Sequence, residues 1–111
     1  MAYLEKRVVA GGLLTASTAT YYTVPATART IVKEMTVVNT DTTTPYNFTL
    51  YIVPSGGTAS DSNVEFKTVT LQPLETRIFS RTCVMEPSST IQALASSASK
   101  IAFSASGVER T

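Results

Sequence analysis

The chain has 111 residues with no His, no Trp and one Cys; 43% are apolar, only 15% are charged, and the net charge is +1. General acid–base catalysis near neutral pH leans on His, and zinc sites on His or several Cys, so this inventory argues against an enzyme or a metal protein. The even charge balance leaves no electrostatic footprint for nucleic acid or anionic lipid, and no run approaches the ~20 apolar residues that a membrane-spanning helix needs.

The opening Met1-Ala2-Tyr3-Leu4-Glu5-Lys6-Arg7 carries its charges early. No apolar stretch of about 7–15 residues follows, so it does not read as a secretory signal, and synthesis in the cytoplasm is expected. Strands are predicted at 5–14 and 19–24, the second stopped by Val24-Pro25, where proline fixes φ and removes an amide donor. The segment 30–39 is apolar on both faces: Ile31, Lys33, Met35 and Val37 oppose Val32, Glu34, Thr36 and Val38. Two readings stay open there, a bulge that shifts the phase midway or a second face that meets an interface. After the polar loop Asp41-Thr42-Thr43-Thr44-Pro45, period-two alternation is clearest at 46–53. Tyr46, Phe48, Leu50 and Ile52 are expected to wall the core, with Thr49 solvated on the other face. That other face ends in Tyr51 and Val53, which are assigned to a subunit contact.

Pro54-Ser55-Gly56-Gly57 opens the longest irregular stretch, to residue 63, and Gln72-Pro73-Leu74-Glu75 is a tight turn with proline placed to start it. Further strands are predicted at 64–71, 76–84, 90–95 and 100–109. Cys83 has no internal disulfide partner and reads as a small buried hydrophobe on a strand. Short strands at roughly 8–12-residue spacing without an amphipathic helix predict an all-β fold. Its form is a single antiparallel β-sandwich, jelly-roll-like, of about eight strands. It takes residues 1–111 as one domain, with 1–18 as an N-terminal arm or edge strand.

Each possible site has a plainer reading. Asn47-Phe48-Thr49 matches the glycosylation sequon, but inside a strand it reads as coincidence. Ser55-Gly56-Gly57-Thr58 lacks the Lys and the following helix of a phosphate-cradling loop. In Arg77-Ile78-Phe79-Ser80-Arg81, if Ile78 faces the core, then Arg77, Phe79 and Arg81 form an outward stripe. Two arginines on a nearly neutral chain make a weak groove for phosphates, so the stripe is assigned to a protein contact rather than to nucleic acid. No catalytic, cofactor-binding or metal-binding residue is assigned.

Several segments together resemble small β-sandwich proteins of tailed bacteriophages and prophages. They are Tyr22-Thr23-Val24-Pro25-Ala26, Val37-Val38-Asn39-Thr40, Leu50-Tyr51-Ile52-Val53-Pro54-Ser55-Gly56-Gly57-Thr58, Leu71-Gln72-Pro73-Leu74-Glu75-Thr76, Ile91-Gln92-Ala93 and Gly107-Val108-Glu109. The resemblance covers about residues 21–109, with one departure: relatives tend to have Gly after Val24-Pro25-Ala26, where Thr27 stands here. It implies a ring-forming structural module of the tail or neck, localised to the virion, self-associating and contacting other virion proteins, without catalytic residues or membrane. The alternatives are a capsid decoration or fibre anchor, a host-surface glycan binder using loops 41–45 and 54–63, or a prophage lysis accessory. Those loops carry no aromatic platform beyond Tyr46 at one edge, which argues against the glycan reading.

Overall fold

Strands form wherever the sequence alternates or runs apolar between turn residues. They are β1 (Tyr3–Val9), β2 (Ala19–Thr23), β3 (Arg29–Asn39), β4 (Tyr46–Val53), β5 (Val64–Leu71), β6 (Thr76–Phe79), β7 (Cys83–Met85), β8 (Thr90–Ala95) and β9 (Ile101–Arg110). The computed structural model describes residues 3–80 and 82–111, and no helix occurs among them. The expected strand 76–84 is two pieces, and β1 stops at Val9, leaving Leu13 an isolated bridge to Ala102.

Two antiparallel sheets face each other. One has the order β1-β9-β3-β6 with β7 also on β3, and the other has the order β2-β8-β4-β5. β7 pairs with residues 30–32 of β3 and β6 with residues 35–38, so the two are one interrupted strand along the same edge. Counted that way, eight strands remain. The chain changes sheet at nearly every connection, β4 to β5 being the hairpin that stays within one sheet. This is the jelly-roll order, and the sandwich expected from the sequence is the observed fold.

Alternation decides what fills the space between the sheets. β8 alternates half-buried and buried residues throughout, turning Ile91, Ala93 and Ala95 inward. β9 does the same with Ile101, Phe103 and Ala105, so small alanines sit among large rings. The biased stretch 93–106 is therefore a source of close-packed interior. Phe48 and Leu50 are buried, with Tyr46 and Ile52 packed against the same core, as the alternation of β4 predicts. Each such large side chain contributes about 1.5–3 kcal/mol by leaving water.

Bulges set the exceptions. Across β3 and β9 the register slips between Val32↔Gly107 and Glu34↔Ser106, and Lys33 is the extra residue. The inward positions accordingly change from Thr30 and Val32 to Met35, Val37 and Asn39. The mixed pattern of 30–39 thus comes from a phase shift. Gly107 permits it: a Cβ there would lie 2.1 Å from the Ile31 carbonyl oxygen.

A second bulge lies in β5, where Lys67 and Thr68 oppose Thr49 alone. Thr68 adopts φ 52°, and its N–H donates to Thr49 Oγ1 at 3.0 Å. Thr49 is buried, contrary to the solvated position expected for it, because the bulge needs its hydroxyl as an acceptor. Turn chemistry departs from habit at Leu74, which takes φ 62° where glycine or asparagine is usual. The Glu75 N–H to Gln72 carbonyl bond of 3.0 Å still closes that turn. After Val24 the Ala28 N–H donates to the Pro25 carbonyl at 3.1 Å without a left-handed residue, so Thr27 fits that turn.

Candidate functional site

Among the described residues, those assigned from sequence to a subunit contact do not come together. Phe79 pairs with Met35 and Arg77 with Val37, both core residues, while Ile78 pairs with Thr36 on the outer face. Directly opposed residues of an antiparallel pair share a face, so Ile78 points outward and Phe79 inward, the reverse of the expected stripe. Ile78 is 60% exposed. Phe79 stacks with Phe66 at 4.2 Å between centroids, and both rings lie 6.2 Å from Phe48. This aromatic trio closes the side of the sandwich where edge strands β5 and β6 meet. Arg77 lies at the rim and pairs with Glu75 at 3.3 Å, an inward-pointing charge of the kind that discourages edge-to-edge pairing. Arg81 lies outside the described residues. On β4, Tyr51 is half-buried on the outer face of the other sheet. Val53, also on β4, is 1% exposed, so its burial is complete within the chain and leaves it no area for a second subunit.

The opposite side of the sandwich is closed by polar groups. Tyr22 of β2 donates its hydroxyl to Glu109 Oε2 of β9 at 2.7 Å and shares a 2.6 Å bond with the Thr30 hydroxyl of β3. Lys6 of β1 reaches the same Oε2 at 3.1 Å and lies 5.6 Å from the centre of the Tyr22 ring. Burial, and then the neighbouring Glu109 carboxylate, push the Tyr22 phenol up to about 12. The bonds from Tyr22 and Lys6 hold the Glu109 carboxyl below its ordinary value. Three strands are tied here through one carboxylate oxygen, and β3 joins them through the Tyr22 hydroxyl. Each of the four side chains has a partner, so the cluster is a clasp between sheets.

The loop end of the sandwich is similarly self-contained. Asn39 is fully buried, donating through Nδ2 to the carbonyls of Thr44 and Leu71, while its Oδ1 accepts the Asp41 N–H. Asp41 Oδ1 accepts the N–H groups of Thr43 and Thr44 at 2.8 and 3.0 Å, which hold its carboxyl down at about 2, with Lys100 adding an ion pair. The carboxylate organises the 41–45 loop. Among the described residues no three His, Cys, Asp or Glu side chains converge as metal ligands would.

What remains open is the outer face of the five-stranded sheet. Of the six exposed large apolar residues, Tyr3, Leu13, Ile78 and Val84 lie on this face, Leu4 sits at its edge opposite the inward-facing Glu109, and Leu74 is in a turn. Val108, Ile31 and Val84 form one cross-strand apolar row on that face, and Ser104, Thr36 and Ile78 form a second row in which Ile78 alone is apolar. Between them runs a charged band. There Glu5, Lys6, Arg7, Lys33, Ser106 and their neighbours line an open groove of about 540 Å³. Nothing local marks Val84 or Val108, which join this face only through β3.

The sequence matches no known protein family and no curated protein. Solved structures do resemble it. A chain from Bacillus endospore appendages, which form disulfide-linked pili, superposes with a TM-score of 0.53 at 16% identity, over 98% of this chain and 88% of that one. A chain of infectious bursal disease virus, Gx strain, superposes with a TM-score of 0.50 at 14% identity, over 97% of this chain. This chain spans 32% of the length of that viral one. At such identities the likeness is one of fold.

Proposed function

We propose that this chain is a structural module acting by subunit contacts and without catalysis. It works as a closed homo-oligomer in the particle of a tailed bacteriophage, at the tail or neck, beside other virion proteins. The observation that carries this reading is the concentration of exposed apolar residues on one sheet of a chain with a net charge of only +1. A surface with so little repulsion and an uncovered apolar sheet favours association, and closed symmetry is its usual form.

The fold neighbours lend support, since the same sandwich occurs in appendages that build pili and in a virus. The linkage would differ from that of the pili. A single cysteine per chain can join two subunits but not a series, and Cys83 sits half-buried opposite Val32, packed against the core. Assembly here is therefore non-covalent.

Light scattering on the purified chain tests the assembly: a mass several times 11.9 kDa is expected at micromolar concentration, and a mass near 11.9 kDa refutes it. Antibody labelling of tailed particles in electron micrographs tests the location, with label expected at the tail or neck.

A further inference from the structure

We propose that the outer face of the β1-β9-β3-β6/β7 sheet is a two-fold, self-complementary interface with a second copy of this chain, in which Arg7 of each copy pairs with Glu34 of the other. The inference rests on the reading of the chain as a self-associating module and names the surface and the pairing.

The charge pairing within the chain points to it. Asp41, Asp61, Glu75, Glu86 and Glu109 each hold a Lys or Arg at 2.9–3.3 Å. Glu65 is engaged as well. Among the described residues the two carboxylates left without a partner are Glu5 and Glu34, both exposed. The unpaired cations include Arg7 and Lys33, also exposed. All four line adjoining grooves on this one face, around Ser106. This face thus leaves two charges of each sign open beside the apolar row of Val108, Ile31 and Val84, and Arg110 near the end of β9 is also without an ion pair.

Their placement suits a two-fold. Glu5 and Arg7 stand on β1, Lys33 and Glu34 on β3, and β9 runs between the two strands. A rotation axis along β9, in the plane between two facing sheets, lays β1 of each copy over β3 of the other. Each strand then presents an acid and a base to a base and an acid, so one contact is made twice. Val108 and Ile31 are covered by the same movement, while β6 and β7, with Ile78 and Val84, lie beyond the partner's β1. Three overlapping strand positions about 4.8 Å apart and a ten-residue β9 at about 3.3 Å per residue give a face of roughly 500 Å². The two copies together bury about 1,000 Å², the low end of specific interfaces.

Charge reversal tests the pairing on the full chain, with circular dichroism to confirm that each variant keeps its sheet. Arg7→Glu and Glu34→Arg each place like charges together twice per dimer and should weaken self-association by about tenfold or more in sedimentation equilibrium. The double variant restores both pairs and should return to within a few-fold of the parent. As an independent probe, Ser106→Cys, lying near the axis, should form a disulfide-linked dimer under mild oxidant while the parent chain, with Cys83 alone, does not. If the parent associates but neither reversal weakens it and Ser106→Cys stays unlinked, this interface is wrong while self-association stands. If the parent is monomeric at about 100 μM, well above the typical Kd of a specific assembly, both readings fall.

Discussion

The Tyr22 hydroxyl meets Glu109 Oε2 at 2.7 Å across the gap between the two sheets, on a carboxylate that Lys6 also reaches from β1. On the far side of the sandwich the same closing role falls to the stacked rings of Phe66 and Phe79. One side is held by directional charge-assisted bonds and the other by apolar contact, and they should fail under different conditions.

Tyr22→Phe keeps the ring and removes the donor, leaving a buried carboxylate one bond short. A loss of about 1.5–3 kcal/mol is expected in urea melts at pH 7. The phenol's folded pKa of about 12 lies above its ordinary 10.0, so its contribution is complete below pH 10 and is lost as pH rises through 12. Glu109 behaves in the opposite sense. Its folded pKa is lowered, so its contribution is complete above the ordinary carboxylate range and is lost as pH falls through the folded value. The parent should lose stability between pH 10 and 12 more steeply than Tyr22→Phe; parallel curves would show that the bond contributes nothing.

The aromatic side predicts a graded series. Phe48 is 1% exposed and touches both other rings, so Phe48→Ala should cost about 3–5 kcal/mol. Phe79→Ala, at the half-buried rim, should cost less. A double-mutant cycle on Phe66 and Phe79 should return a coupling of about 0.5–1.5 kcal/mol. Zero coupling would mean the two edge strands do not meet through these rings.

Gly107→Ala probes the β3–β9 bulge. The added methyl meets the Ile31 carbonyl oxygen at 2.1 Å, with Ile31 C and Val32 Cα at 3.0 Å, all main-chain atoms that cannot turn aside. A cost of about 3 kcal/mol or more is expected, in the range reserved for backbone disruption. Gly12→Ala, with open space around its Cβ and no left-handed φ, serves as the control and should change stability by less than about 1 kcal/mol. Similar melting curves for the two variants would show that the bulge yields easily.

The amino-acid order by itself determined most of the strands and turns and the core wall of Tyr46, Phe48, Leu50 and Ile52 on β4, because these follow from side-chain period and from proline and glycine positions, which are local properties. It also limited 30–39 to two readings. Pairing decided between them: the bulge at Lys33 exists because Gly107, far along the chain, lets the backbones close up. Pairing likewise turned Ile78 out and Phe79 in. A four-residue strand at a sheet edge has no alternation strong enough to choose its own face, and β3 chose for it through Met35 and Val37. The clasp at Glu109 and the gathering of Glu5, Arg7, Lys33 and Glu34 on one face lie still further from local signals. They join residues from opposite ends of the sequence, and only the jelly-roll order, which lays the last strand between the first and the third, makes them neighbours.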